Sequence, residues 1–170
     1  RVAGQAVEDG FRAAGHPLRP VNVFDEPGFH AESRHVEEIE PLLAGNDAIP
    51  VAVGSGTIND LVKLASHRAG RPYMVTATAA SMDGYTAFGA SITHQGSKQT
   101  FECPAPRAVV ADLDVICAAP TELSASGYAD LLAKITAGAD WIAADSLGVE
   151  PIDPVAWEMV QHPLRQWLDN

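Results

Sequence analysis

The sequence predicts an α/β fold with a parallel sheet. Apolar runs of strand length alternate with segments of helical periodicity, and parallel strands need connections of that length. A turn containing Gly54 and Gly56 joins one apolar run to an amphipathic segment, as a β-α unit requires. After Pro120 no strand pattern follows. We therefore expect an α/β domain over residues 1–119 and a helical domain over 120–170.

The first half of the chain supplies the repeating units. A helical pattern from Val2 to Phe11 is already under way at Arg1, which is not a methionine, so a fragment of a longer protein is expected. The elements predicted next are a short apolar strand at 21–24, a helix over 31–43, a strand over 48–53 and a helix over 58–69.

The second half does not continue this alternation of strands and helices. Strands are predicted at 73–77 and 107–111, but the polar stretch 91–102 is typical of a β-hairpin with Gln95-Gly96 or Gly96-Ser97 at its turn. Beyond it, Thr121 is a candidate helix cap. The remaining expectations are an interruption at Gly127, a long and largely buried helix over 128–144 and a single helix over 154–168.

Composition excludes several classes of function. The chain has 170 residues, a hydrophobic fraction of 46% and a net charge of −11, which disfavours a nucleic-acid partner. No apolar stretch reaches the length of a membrane span and no signal peptide opens the chain. Cys103 and Cys117 lack metal or redox spacing and are interpreted as buried thiols. Cytoplasmic localisation is expected.

The glycine turn is a candidate phosphate site. A strand, a glycine turn and a helix amino terminus place unpaired N–H groups and the helix dipole toward an anion. Gly54 and Gly56 are expected to allow positive φ and a close approach of the ligand. The spacing matches neither a dinucleotide fingerprint nor a P-loop, so an ordinary strand-to-helix turn stays open as the alternative.

Two further segments carry candidate chemistry. Thr78, Ser81 and Asp83 follow a predicted strand at its carboxyl end, where open α/β sheets bind ligands, although a solvated Asx turn is the alternative. Asp130 and Lys134 lie one turn apart on a predicted helix, so an ordinary ion pair would explain them. Their small and apolar neighbours instead suggest a buried carboxylate that needs a cation or a metal.

A resemblance to a known family rests on four separated segments between about residues 48 and 145: GSGTINDLVK, TATAASMDGYTAFGASI, APRAVVADLDVICAAP and GYADLLAKITAGADW. Together they resemble the sn-glycerol-1-phosphate dehydrogenase family, especially its bacterial branch, within the superfamily of iron-type alcohol dehydrogenases and dehydroquinate synthases. The resemblance implies a Rossmann-like nucleotide domain followed by the start of an all-helical metal-binding domain. It implies NAD(P)H-dependent reduction of dihydroxyacetone phosphate to sn-glycerol 1-phosphate, with zinc or nickel as the divalent metal.

Carried onto this sequence, the resemblance also implies site residues. Asp83 would contact the substrate, and Asp130 would bind the metal and lie against the substrate. A metal that polarises the ketone stabilises the alkoxide that forms on hydride addition. The implied cofactor contacts are Gly54, Gly56, Thr57, Ile58, Asn59, Asp60, Thr78, Ala79, Ala80 and Ser81.

The sequence departs from the family pattern in two respects. Ala87 replaces a serine that usually touches the cofactor, so one hydrogen bond is expected to be absent. The other two metal ligands of the family are downstream histidines, whereas His162 is followed by Pro163 and does not repeat their motif. A complete metal site is therefore not expected here, and its remaining ligands are expected beyond residue 170. The other histidines are interpreted as surface or loop residues: His16, His30, His35, His67 and His94.

Other interpretations stay open. Glycerol dehydrogenase and dehydroquinate synthase share the implied fold and are alternative enzyme functions. Two alternatives of a different class are a dinucleotide-binding module without catalysis and a phosphosugar-binding domain. The choice between NADH and NADPH depends on groups near the adenosine ribose, for which Asp25 and Glu26 are candidates. One aspartate does not identify a metal. A homo-oligomer is an open alternative.

Overall fold

The computed structural model describes residues 2–19 and 21–168 of the chain. They form two compact units, one comprising the described residues up to 80 together with 84–120 and the other comprising residues 81–83 and 121–168. The first unit is α/β with a parallel sheet, which confirms the predicted fold class, and the second is helical. None of the helices in the described residues is long and apolar enough to cross a membrane.

The first unit alternates helices with strands, and most predicted elements are present with shifted ends. A short 3₁₀ turn over Gly84–Thr86 precedes the hairpin. Its other elements are α1 (Val2–Ala13), α2 (Ser33–Leu43), β1 (Val51–Gly54), α3 (Gly56–Arg68), β2 (Met74–Ala77), β3 (Ala90–His94), β4 (Ser97–Phe101), β5 (Ala108–Ala111) and α4 (Leu113–Cys117).

The sheet contains β1, β2 and β5 in the order β1-β2-β5, with both pairings parallel. Gly54 lies opposite Ala77, and Ala77 lies opposite Ala111, so the three strands end at the same edge. That edge is where open α/β sheets bind ligands, because the loops that follow the strands converge there. The register therefore brings the glycine turn and the segment after β2 to a common edge.

The main hydrophobic core lies between α2, α3 and the hairpin. Val36, Leu61 and Ile92 are fully buried in it, and Leu64 is 2% exposed. A buried aliphatic side chain of this size contributes about 1.5–3 kcal/mol relative to the exposed state. The hairpin thus serves as one wall of the core that supports α3.

The hairpin itself confirms one prediction and resolves an alternative. Strands β3 and β4 pair antiparallel, and Gln95 and Gly96 form the turn with φ angles of 51° and 76°. Two consecutive positive φ angles are typical of the type I′ turn, whose twist suits a two-residue hairpin. The turn is therefore Gln95-Gly96 and not Gly96-Ser97.

The second unit consists of α5 (Thr121–Ser146), α6 (Pro154–Val160) and α7 (Leu164–Leu168), together with the segment Ser81–Asp83. Asp153 caps α6 by accepting hydrogen bonds from the N–H groups of two residues in its first turn. Pro154 occupies the first turn of α6, where its missing N–H costs nothing.

Three predictions about these helices are wrong. Gly127 does not interrupt α5, because one glycine costs only about 1 kcal/mol among good helix formers. The predicted helix over 154–168 is two helices, separated by a turn that ends at Pro163, which lacks the N–H that a continuous helix needs. The long helix is not largely buried, since two short helices cannot cover 26 residues, and Ile135 is 53% exposed.

Three expectations for the first unit also fail. The apolar run at 21–24 is not a strand, since Phe24 instead stacks on Phe29 at 5.0 Å and packs against the edge of His35. His35 is therefore a fully buried residue of α2 and not a surface residue. Cys103 is buried as expected, but Cys117 is exposed because the short helix α4 has no buried residues.

Candidate functional site

The edge of the sheet joins the two segments that were predicted to bind a cofactor. The N–H of Thr78, just after β2, donates a hydrogen bond of 3.3 Å to the carbonyl of Gly54 at the end of β1. Helix α3 begins at Gly56, two residues later. One hydrogen bond thus fixes the segment after β2 against the turn that precedes α3.

Gly54 is required by close packing and not by its backbone conformation. A Cβ atom at this position would lie 2.8 Å from Cγ1 and 2.9 Å from Cβ of Ile58. The expectation of positive φ is wrong for both Gly54 and Gly56, since neither has a φ in the left-handed region. The missing side chain instead lets the first turn of α3 lie directly against the end of β1.

The amino terminus of α3 is free to accept an anion. Ser55 is the N-cap residue, yet its side chain makes no capping hydrogen bond, and no acidic residue lies in the first turn. The first N–H groups of a helix have no partner within the helix, so those of Gly56, Thr57 and Ile58 remain available as donors. The helix dipole adds partial positive charge at this end.

Asn59 and Asp60 use their side chains inside the unit. Asn59 is fully buried, where its Oδ1 accepts a hydrogen bond of 3.1 Å from the Tyr73 hydroxyl and its Nδ2 donates to Asp60 Oδ1. Asp60 Oδ2 accepts from the N–H of Ser91 at 3.1 Å. Burial raises the pKa of Asp60, and this hydrogen bond and Lys63 oppose the shift. These side chains hold α3 against Tyr73, which directly precedes β2, and against the hairpin.

The segment after β2 exposes its residues to different degrees. Thr78 is half-buried, Ala79 is buried and Ala80 is exposed. The carbonyl of Ala79 accepts a hydrogen bond of 3.0 Å from the Tyr85 hydroxyl. Ser81, the last predicted cofactor contact, is half-buried and falls in the second unit.

The two predicted catalytic aspartates lie together in the second unit. The N–H of Asp83 donates a hydrogen bond of 2.9 Å to Asp130 Oδ2, and Lys134 Nζ lies 2.6 Å from Asp83 Oδ2. The hydrogen bond from Asp83 lowers the pKa of Asp130, while Asp83 raises the pKa of Lys134. Lys134 therefore pairs with Asp83, and not with the Asp130 of its own helix face.

The family described as iron-containing alcohol dehydrogenase matches residues 1–120 of the chain. The chain belongs to this family. The resemblance noted in the sequence is confirmed by two relatives, both named glycerol-1-phosphate dehydrogenase [NAD(P)+].

The relative from Bacillus subtilis is 41% identical over 122 residues, which cover 72% of this chain and 31% of the relative. The relative from Bacillus velezensis is 33% identical over 171 residues, which cover 99% of this chain and 43% of the relative. The chain thus spans less than half of the length of either protein. In fold it is similar to glycerol dehydrogenase from Schizosaccharomyces pombe, with a TM-score of 0.67 and 24% identity over 78% of this chain and 33% of that one.

The residues described for this member of the iron-containing alcohol dehydrogenase family do not by themselves fit a metal ion. Within residues 2–19 and 21–168, no group of three or more histidine, cysteine, aspartate or glutamate side chains could hold one. His162 is exposed and pairs with Glu158 at 3.7 Å. Asp83 and Asp130 supply two neighbouring carboxylates, one of which is paired with an ammonium group.

Lys63 is a buried residue that was not among those predicted from the sequence. It is 1% exposed, and its Nζ donates hydrogen bonds to the carbonyls of Gly84, Ala87 and Gly89 at 3.2, 2.9 and 3.0 Å. The helical spacing places Lys63 on the same face of α3 as two other polar residues, because Asn59, Lys63 and Ser66 stand at i, i+4 and i+7. All three prove to be buried.

Proposed function

We propose that the full-length gene product is an NAD(P)H-dependent dehydrogenase that reduces dihydroxyacetone phosphate to sn-glycerol 1-phosphate. The observation that carries the proposal is the uncapped amino terminus of α3, which the Gly54 to Thr78 hydrogen bond holds beside the end of β2. The names of the relatives from the two Bacillus species support the substrate and the cofactor.

The first unit would bind the dinucleotide. The free N–H groups at Gly56, Thr57 and Ile58 are suited to the pyrophosphate, because backbone donors and the helix dipole act together on an anion. Thr78, with the small residues after it, would lie along the cofactor at the same edge. The buried side chains of Asn59 and Asp60 would act by holding α3 in place.

The second unit would contribute polar groups for the substrate. Asp83 and Asp130 are proposed as substrate contacts, and Asp130 as the residue of this chain that binds a divalent metal, zinc or nickel. Such a metal supplies Lewis-acid polarisation of a ketone when it is bound. Its other ligands would come from outside the described residues, because these contain no cluster of three ligating side chains.

The reaction balances without a further redox partner. The bound dinucleotide would supply a hydride to the carbonyl carbon of dihydroxyacetone phosphate, and the carbonyl oxygen would take up one proton. The products would be sn-glycerol 1-phosphate and the oxidised dinucleotide. Hydride chemistry belongs to the cofactor, so the protein's task is to bind, orient and supply charge.

The test is an absorbance assay of NADH and NADPH oxidation by the full-length gene product with dihydroxyacetone phosphate, with and without added zinc or nickel. The variant is Asp130→Ala, and Asp140→Ala provides a matched control at an exposed position of the same helix. We expect turnover that needs metal, survives in the control and disappears in the Asp130 variant. Cofactor binding without turnover would instead favour another substrate or a non-catalytic dinucleotide-binding module.

A further inference from the structure

A buried ammonium group holds an otherwise weakly packed loop of the first unit. Lys63 Nζ contacts three carbonyl oxygens of the loop over residues 84–89 and is within reach of the charge on Asp60. Burial lowers the pKa of Lys63, and Asp60 opposes that shift. A charged group is costly to bury unless every donor is satisfied, and three carbonyls meet the three donors of an ammonium group.

Apolar packing does little to hold this loop. Thr86 and Ala87 are exposed, and Phe88 is 67% exposed. Tyr85 is the buried side chain of the loop, and its hydroxyl donates to the carbonyl of Ala79. Lys63 therefore holds the loop on one side and the Tyr85 contact holds it on the other, while the N–H of Gly89 at its end donates a hydrogen bond of 2.8 Å to the carbonyl of Cys103.

These contacts connect the two halves of the proposed dinucleotide site. Lys63 belongs to α3, whose amino terminus lies at Gly56, and Ala79 belongs to the segment that follows β2. The path runs from α3 through Lys63 to the loop, and from the loop through Tyr85 to Ala79. It adds a further link to the backbone hydrogen bond between Thr78 and Gly54.

We infer that Lys63 is a positioning residue for the dinucleotide, which sets the segment over residues 78–80 by holding the loop over residues 84–89. This inference rests on the proposed cofactor function. Lys63 is no cofactor contact itself, since its donors are directed at the loop carbonyls. Removal of the Lys63 ammonium group is expected to increase backbone motion in the segments over residues 78–80 and 84–89 more than in the rest of the first unit.

The test uses the full-length gene product with Lys63→Met, which keeps the chain length and removes the donors. Hydrogen exchange by mass spectrometry follows the peptides over 78–80 and 84–89, and fluorescence titration gives the Kd for NADH. Lys98→Met is the control for loss of an exposed lysine. Val36→Ala is the control for lost stability, because Val36 is a fully buried core residue on α2.

We expect Lys63→Met to speed exchange in both peptides and to raise the Kd for NADH about tenfold or more, as loss of charged hydrogen bonds would do. Lys98→Met should change neither, and Val36→Ala should lower the Tm without changing the Kd. Unchanged exchange at 78–80 in Lys63→Met, or an equal loss of affinity in Val36→Ala, overturns the inference.

A second variant keeps the test decisive where Lys63→Met does not fold. Tyr85→Phe removes the hydroxyl that reaches Ala79 and is expected to speed exchange at 78–80 and to weaken NADH binding. Wild-type exchange and affinity in Tyr85→Phe would overturn the proposed path. If the wild-type protein itself binds no dinucleotide, the proposed function fails, while the exchange data still decide whether Lys63 sets the segment over residues 78–80.

Discussion

Asp83 and Asp130, which are 47 positions apart in the sequence, are joined by a hydrogen bond of 2.9 Å from the N–H of Asp83 to Oδ2 of Asp130. The donor in this hydrogen bond is the backbone N–H of Asp83. The side chain of Asp83 has a different partner, because Lys134 Nζ lies 2.6 Å from its Oδ2. The two aspartates of the proposed substrate site therefore have different electrostatic surroundings.

The stability of the second unit should depend on pH through Asp130. The hydrogen bond from Asp83 lowers the pKa of Asp130, so its contribution to stability is present above the ordinary pKa of the group. It is lost as the pH falls through the lowered value. We expect the Tm of the wild-type protein to fall more steeply below about pH 4 than that of Asp130→Asn. Scanning calorimetry between about pH 2.5 and 6 measures this, and equal slopes would contradict it.

Gly54→Ala should weaken both stability and cofactor binding. The added methyl would lie under 3.0 Å from two atoms of Ile58, so the first turn of α3 must shift. Overpacking of this kind costs about 1–3 kcal/mol. Chemical denaturation gives the free energy of unfolding, and NADH titration gives the Kd. Gly10→Ala is the matched control, because a Cβ at Gly10 in α1 meets no atom within 4 Å.

Tyr73→Phe should destabilise the first unit by leaving Asn59 without its donor. The Asn59 side chain is fully buried, and its Oδ1 accepts from the Tyr73 hydroxyl at 3.1 Å. An unsatisfied buried acceptor costs about 1–3 kcal/mol. A double-mutant cycle with Asn59→Ala separates this contact from other effects. Strictly additive changes in the free energy of unfolding would show that the contact contributes nothing.

Gly138→Ala should be nearly neutral, because two effects of similar size oppose each other. A Cβ at Gly138 would lie 2.6 Å from Gln161 Oε1, so the flexible side chain must move and give up its hydrogen bond to the Lys134 carbonyl. That loss costs about 0.5–1.5 kcal/mol. Alanine in place of glycine within a helix returns about 1 kcal/mol.

The measurement for position 138 is equilibrium denaturation, and a change beyond about 1 kcal/mol in either direction would contradict this balance. In the background of Gln161→Ala the obstacle is absent. The same substitution should then stabilise the protein by about 1 kcal/mol.

Several elements followed directly from local patterns. Strands β1, β2 and β5, helix α3 and the hairpin lie where apolar periodicity and turn residues predicted them. The expected interruption of α5 at Gly127 failed, because a local preference of about 1 kcal/mol is small beside the propensity of the surrounding residues. The apolar run at 21–24 failed as a strand because Phe24 packs on Phe29 instead.

The candidate site also combines features that the sequence predicted with features that it did not. The glycine turn, Asp83 and Asp130 could be proposed from residue types and order, since each motif is continuous in the chain. Their assignment as cofactor, substrate and metal contacts stays a prediction. The sequence did not predict that Lys63 is buried. Lysine is almost never fully buried, so composition alone favours an exposed position for it.

By itself, the sequence determined the α/β class, the parallel strands and the family, because these depend on periodicity and on motifs within short segments. Only the tertiary structure decided that Lys63 holds the loop over residues 84–89, that Lys134 pairs with Asp83 and that Gly54 must lack a side chain. Each of these depends on distances between groups that are not adjacent in the chain. Such distances arise only when the strand register and the helix packing are set.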